Sequence, residues 1–502
     1  MADNNHETPE DVTETDSQAT TPTETAPAKT KKPRKRVPLW VTILLVVVAL
    51  GGGGAVGYFS RPQTQTVKID SSSLPSGFTK VLKTFITIRD SYVTKPSNKK
   101  LVDGAINGMI KSLDDPFSNY LQDTDATSLN TEISGAFGGI GATMVQTADG
   151  VQVDSVNPGS ASQKAGIKAN DQIVSVNGKS MADKNINQVV AKIRGKIGSK
   201  VTVVVKRDGK QLSFTMTRAK VTVPSVSGAI DSTNKKIGII TFTTFTETSA
   251  KQIKSTVKKL RKQGATKFVL DLRGNPGGVL DQALAIDSMF LKDGQTILQV
   301  KPRNGTTEVY KAGSEYDNGF KITEPTVVLI DGNSASASEI TAAALNESAN
   351  VKLIGTKSYG KGTVQTVAQM GKNAELKLTI AKWLTPSGKW IHHKGIKPTI
   401  EADYPDYAYI NAISATSLKP EQVSSDVKSL QKMLKALGYT INTVNGYYGD
   451  DTTAAVKAFQ EDNKLTADGT ASSATLTKLE EKLTAKISAN DNAMKKAESV
   501  LK

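Results

Sequence analysis

The hydrophobic pattern changes abruptly along the chain. Residues 1–28 are rich in Thr, Glu, Asp, Ser and Pro and hold almost no apolar position, as in a segment that cannot bury enough surface to order itself. A basic block follows at 29–36, and then residues 38–59 carry no charge at all. At about 1.5 Å rise per residue that stretch spans a hydrocarbon layer of about 30 Å, so the pattern predicts a transmembrane helix at 38–59 behind a disordered cytoplasmic tail at 1–37. The basic block on its N-terminal side places that side in the cytoplasm and everything beyond residue 60 outside. A cleaved signal peptide ending at Ala55-Val56-Gly57 is the rival reading; the length of the span and of the tail favours an uncleaved anchor.

After a polar linker at 60–73, residues 74–131 read as helical. Phe78, Val81, Leu82, Phe85, Ile86 and Ile88 recur at spacings of three and four, and a second helix is expected at about 100–113. Residues 132–220 switch to short alternating strands with Asp149-Gly150 and Asn177-Gly178 turns, a hairpin pattern. Residues 221–405 alternate strand and helix, which predicts an α/β core with a largely parallel sheet; later strands are expected at 376–383 and 391–400. Residues 418–485 return to a compact helical unit, with Val427, Leu430, Leu434 and Leu437 on one stripe. The tail beyond 486 reads as a polar helix with a frayed end. The fold class is multidomain α/β.

Composition narrows the chemistry. There is no cysteine, which removes thiol nucleophiles, thiolate metal sites and disulfides together. The only histidines are His6, His392 and His393, so a Ser-His pair would have to use one of the last two, and a histidine-rich metal site is not expected. Residues 1–36 hold seven acids and six bases, so the chain's net +16 sits as +17 on residues 37–502. No basic cluster interleaved with aromatics accompanies that charge, which argues against nucleic acid; the plain reading is a solvated basic surface, of a kind suited to an anionic cell wall.

Candidate chemistry concentrates at 325–367. An apolar strand at 327–330 meets a turn at Asp331-Gly332-Asn333. Ser334, Ser336 and Ser338 then lead into an Ala-rich helix from about Glu339. A serine between a strand and a helix N-terminus is exposed, and the free N–H groups of the helix favour a developing oxyanion. The base can be a lysine if burial keeps it neutral, and the following loop offers Lys357 and Lys361. Lys361, between Gly360 and Gly362, is the better placed. Gly355 to Lys361 also matches the start of a phosphate-binding loop, but Gly362 stands where that motif needs Ser or Thr.

Further words extend the pattern: LDDPFSNYL (113–121), FGGIGA (137–142), DLRGNPGG (271–278), NSASASEITAAAL (333–345), YGKGTVQT (359–366) and TPSGKWIHHKGIKP (385–398). In this order they resemble the C-terminal processing peptidase, or tail-specific protease, family over 74–405. The resemblance implies a serine endopeptidase with a Ser-Lys dyad and an embedded PDZ domain at 132–220, the protease core being 221–405 with the helical subdomain at 74–131. It implies Ser336 as nucleophile, Lys361 as base and Gln365 as the residue that positions the lysine. Ser334 and Ser338 become turn and helix-start residues, Glu339 suits the helix dipole without a catalytic duty, and His392 and His393 are structural or surface residues. Backbone N–H groups of Ala337 and of Gly277 or Gly278 would form the oxyanion hole. Gly139, Ile140 and Gly141 match the loop by which PDZ domains hold a terminal carboxylate.

Residues 418–485 resemble a three-helix peptidoglycan-binding domain, on VKSLQKMLKALGY (427–439) and NGYYGDDTTAAVKAFQ (445–460). The implied partners are protein substrates with free C-termini, peptidoglycan and the membrane, with no cofactor and no metal; a homodimer or higher oligomer is left open. The implied location is the cell membrane, with a single pass, a cytoplasmic N-terminus and the catalytic part near the wall. A non-catalytic PDZ and wall-binding scaffold is the alternative from another class.

Overall fold

The computed structural model describes Pro75 and residues 77–502, apart from Ala148 and Lys372. The expected tail and transmembrane helix fall outside the described residues, and among those residues no helix is long and apolar enough to cross a membrane. Helices α1 (Phe78–Ser91) and α2 (Asn98–Lys111) come first. Neither has a fully buried residue: Phe85, Leu101, Ile106 and Ile110 are half-buried and much of the rest of the apolar stripe is in solvent, with Leu82 55% and Met109 54% exposed. Strand β1 (Asn119–Gln122) and α3 (Asp123–Ser134) follow, and Gly135 ends α3 with φ 61°.

The next unit is built mainly of short strands: β2 (Ala136–Gly139), β3 (Ala142–Thr147), β4 (Gly150–Val156), β5 (Gln172–Val176), β6 (Lys179–Ser180), β7 (Lys200–Arg207), β8 (Lys210–Thr217) and β9 (Ala219–Thr222). Helix α4 (Ala161–Ala165) precedes β5 and α5 (Ile186–Ile193) precedes β7. The main sheet runs β3-β4-β5-β7-β8, while β2 pairs with β9. Alternation sends Val201, Val203 and Val205 inward, where they pack on Val189 and Ile193 of α5. Asn185 and Gln188 cap α5 reciprocally, each accepting the other's backbone N–H.

The core contains β10 (Val226–Ile230), β11 (Ile237–Phe242), α6 (Ser249–Lys262), β12 (Lys267–Asp271), α7 (Leu280–Phe290), β13 (Thr296–Pro302), β14 (Glu308–Lys311) and α8 (Ser314–Asp317). It continues with β15 (Thr326–Ile330), α9 (Ala337–Ala349), β16 (Lys352–Gly355), β17 (Thr363–Gly371), β18 (Ala374–Leu384) and β19 (Ile400–Glu401). Its central sheet has the order β10-β11-β12-β15-β16-β19 and is parallel except at β10. Both faces of β15 are covered, which is why its sequence is an unbroken apolar run. Val328 and Ile330 meet the side carrying Ile253, Val257, Leu284 and Ile340, while Val327 and Leu329 meet the other. A second, antiparallel sheet runs β1-β18-β13-β14, with β17 also on β18. The expected strand at 391–400 is instead a loop that reaches strand geometry only at β19, because its backbone folds back on residues 358–362.

Three helices form the C-terminal unit, α10 (Ser425–Leu437), α11 (Asp450–Asp462) and α12 (Ser473–Ala489). Val427, Leu430, Leu434, Val456, Phe459 and Leu479 make its core. Two buried glutamines repeat one device. Gln431 Oε1 accepts the Gly446 N–H and its amide donates to Tyr447 O; Gln460 does the same with Gly469 and Thr470. The tail departs from expectation. Helix α13 (Asn492–Val500) is not frayed: Ala493, Ala497 and Leu501 are buried against Ile237, Val269, Val327, Leu329 and Ile354. The polar composition misleads because only this narrow stripe has to be small and apolar to close the second face of the sheet.

Candidate active site

Ser336 stands between β15 and α9 with φ 55° and ψ −114°, a conformation that costs about 1–3 kcal/mol in a non-glycine residue. The contacts around it explain how that strain is held. Ser334 is fully buried; its hydroxyl donates to Leu272 O at 2.8 Å and accepts the Asp331 N–H at 2.9 Å. Ser338 is equally buried and donates to Asn275 O at 2.9 Å. The Ala335 N–H bonds to the same carbonyl at 3.0 Å. The two outer serines thus fasten the bend to the turn at 272–278. The Ser336 side chain is partly exposed and makes no tie to that turn; its hydroxyl is met instead by the capping-box approach of the Glu339 N–H at the start of α9.

The 271–278 turn lies directly beneath. Gly277 has φ 96°, and a Cβ there would come within 2.6 Å of Ala335 O and 2.8 Å of Ser336 Cβ. Gly278 has φ 142°, and a Cβ would collide with Phe245 O at 2.1 Å. The two expected oxyanion donors in this turn differ. The Gly277 N–H is donated to Asn275 Oδ1 at 2.9 Å, whereas the N–H groups of Gly278 and Ala337 have no acceptor among the described residues. Asn275, fully buried, also donates to Phe242 O at 2.8 Å. Its N-P-G-G setting was the signal for a turn but not for this tie.

Of the two lysines, Lys357 is exposed and Lys361 is partly buried. Glycines flank Lys361 because the 390–395 segment crosses there: a Cβ on Gly360 would meet Gly395 N at 2.9 Å, and one on Gly362 would meet His392 N at 2.8 Å. Lys361 O accepts the Trp383 indole N–H and Gly362 O that of Trp390, each at 2.8 Å. His392 Nδ1 accepts the Gly362 N–H at 3.2 Å, so this histidine braces the lysine loop, while His393 is exposed. The Lys361 amine lies 4.8 Å from the centre of the Phe117 ring. Burial, then the charge of Lys377, pulls its pKa down from 10.5 to about 8 against the opposing pull of Asp115 and Glu339.

Among the described residues no hydrogen bond joins Ser336 Oγ to Lys361 Nζ; the two meet through backbone N–H groups on the Glu339 carboxylate. The Gln365 amide donates to Thr363 and Thr379 hydroxyls at 3.0 and 3.1 Å rather than contacting Lys361. At the far site, Ile140 O accepts the Ser162 N–H and Gly141 O accepts the Asn157 N–H, at 2.8 and 2.9 Å. The N–H groups of Ile140 and Gly141 have no acceptor among the described residues. Gly139 is buried at the end of β2, and Gly141, with φ 75°, leaves no room for a Cβ beside Ser160. Strand β3 begins here and pairs only with β4, leaving its other edge beside α5 without a strand.

An α/β core with a serine on a strained strand-to-helix bend, carrying an inserted PDZ domain, defines a serine peptidase. The chain belongs to peptidase family S41, whose model matches residues 236–402. A PDZ domain model matches 152–207, a putative peptidoglycan binding domain 423–479, and the activating protease CtpB N-terminal domain 58–125. The chain is 44% identical to carboxy-terminal processing protease CtpA of Bacillus subtilis (strain 168) over 434 residues, 86% of this chain and 92% of that protein. It is 36% identical to CtpB of the same organism over 466 residues, 89% and 96% of the two chains. Among solved structures it resembles a photosystem II D1 C-terminal processing protease at 25% identity and a TM-score of 0.38, over 66% of this chain and 94% of that one.

Proposed function

We propose that this chain is a membrane-anchored endopeptidase that cleaves proteins near their C-termini through a Ser336–Lys361 dyad. The observation that carries the reading is the state of the three serines. Ser334 and Ser338 are buried and spent on the 272–278 turn, while Ser336 is strained, partly exposed and not tied to that turn. In this reading neutral Lys361 takes the Ser336 proton as Oγ attacks the scissile carbonyl. The oxyanion faces the N–H groups of Ala337 and Gly278. The Lys361 ammonium then protonates the leaving amine, and a water, deprotonated by the same lysine, hydrolyses the acyl-enzyme. The reaction requires the Lys361 side chain to turn from the Phe117 ring toward Ser336, with Gln365 exchanging a threonine for the lysine as it does so.

The substrate's terminal carboxylate would sit on the N–H groups at 139–141 and its chain along the open edge of β3. Residues 38–59 would anchor the enzyme in the membrane with its catalytic part outside, and the C-terminal unit would hold peptidoglycan. The exposed apolar residues of α1 and α2 would serve association of copies. The deciding experiment compares one peptide with a free and an amidated C-terminus, using wild type, Ser336→Ala and Lys361→Ala. Activity surviving in either variant sinks the dyad, and equal rates on the two peptides sink carboxylate recognition.

A further inference from the structure

Glu339 opens α9 and is fully buried. A carboxylate at a helix start needs no more than the dipole to justify it. Here it does more. One oxygen, Oε2, accepts the N–H of Ser336 at 2.9 Å and the N–H of Lys361 at 2.8 Å. The other, Oε1, accepts the N–H of Gly360 at 2.7 Å and the hydroxyl of Ser358 at 2.6 Å. An ionised carboxylate offers about four acceptor sites, so this one is filled. It forms no ion pair among the described residues, so its charge is matched by these donors alone.

We propose that Glu339 is the positioning residue of the reaction, setting the separation of the Ser336 and Lys361 backbones by holding both on a single oxygen. Sharing Oε2 keeps the two nitrogens within about 6 Å of each other, since each hydrogen bond is near 2.9 Å. Ser358 and Gly360 fix the second oxygen and so orient the carboxylate plane. Ser358 is itself anchored, since its hydroxyl accepts the Ile396 N–H at 2.7 Å. The loop bearing Lys361 is therefore tied to the bend bearing Ser336 through one side chain. This inference rests on the Ser336–Lys361 reading above.

The test measures kcat and KM on a free-tailed peptide from pH 6 to 10 for Glu339→Gln, Ser358→Ala, Ser336→Ala and Lys361→Ala. The amide of Glu339→Gln keeps the shape but turns N–H donors toward two of the four N–H or O–H partners. The expected result is a fall in kcat of about a hundredfold with KM within about threefold, the scale set by misplacing reacting groups by about 1 Å. The rising limb of the pH profile should also move to lower pH, because one negative charge favouring the Lys361 ammonium is gone. That shift reports the lost charge, and the positioning role is read from the split between kcat and KM. Ser358→Ala removes one of the four contacts and should lower kcat by about tenfold; it decides the matter if Glu339→Gln does not fold. A kcat within threefold of wild type, or a loss seen only in KM, overturns the proposal. If Ser336→Ala or Lys361→Ala stays active, the dyad beneath it falls instead.

Discussion

As the base of the proposed dyad, Lys361 must be neutral, and its surroundings set the pH at which it becomes so. Burial and Lys377 lower its pKa from 10.5 to about 8, a difference worth about 3 kcal/mol between its protonation states. At pH 7 about one molecule in ten then carries the neutral amine, against about one in three thousand for an unperturbed lysine. The expected profile of kcat/KM rises about tenfold per pH unit below pH 8 and levels above it. The same perturbation has a stability consequence of definite sign. Between about 8 and 10.5 the unfolded chain holds a proton at this lysine that the native state lacks, so native stability rises with pH through that window. Below it the buried ammonium is a standing cost. Lys361→Met should therefore abolish activity and yet raise stability at pH 7 by up to about 3 kcal/mol, with the gain fading as pH climbs toward 10.5. Denaturant titrations of both proteins at pH 7 and pH 10, beside rate profiles from pH 6 to 10, test both parts. A flat profile between pH 6 and 9, or a Lys361→Met protein less stable than wild type at pH 7, would refute the reasoning.

Gly277→Ala places a methyl within 2.6 Å of Ala335 O at φ 96°; it should displace the Ser336 bend and cut kcat by about a hundredfold, while activity within threefold of wild type on a free-tailed peptide would contradict the close packing. Ala497→Asp puts an unpaired carboxylate where Ala497 is fully buried on the central sheet. It should destabilise the core by about 3 kcal/mol or more, read as a lower melting temperature and faster limited proteolysis. An unchanged melt would mean that α13 does not close this face.

Local patterning made much of this protein legible. Period-two alternation marks β7, and the stripe of Ile253, Val257 and Leu260 marks α6, because each element must hide one side from water. The run at 327–330 could be read as a doubly covered strand, and the serines after it as a strand-to-helix bend. Local patterning could not say which serine is free, and there the family resemblance supplied Ser336. It also left open which glycine N–H is free.

Those choices belong to tertiary structure. Ser334 and Ser338 are claimed by Leu272 and Asn275, about sixty residues earlier, and the Gly277 N–H is claimed by a side chain whose own anchor is on β11. Glu339 read as a helix-start acid because its partners at 358–361 lie beyond the helix it opens. Helix α13 read as a loose end because the sheet it covers was folded from residues more than ninety positions before it. Periodicity reports which side of a segment avoids water. Which donor meets which acceptor depends on how the segments cross, and that is decided only when the sheet, the turn beneath Ser336 and the lysine loop close on one another.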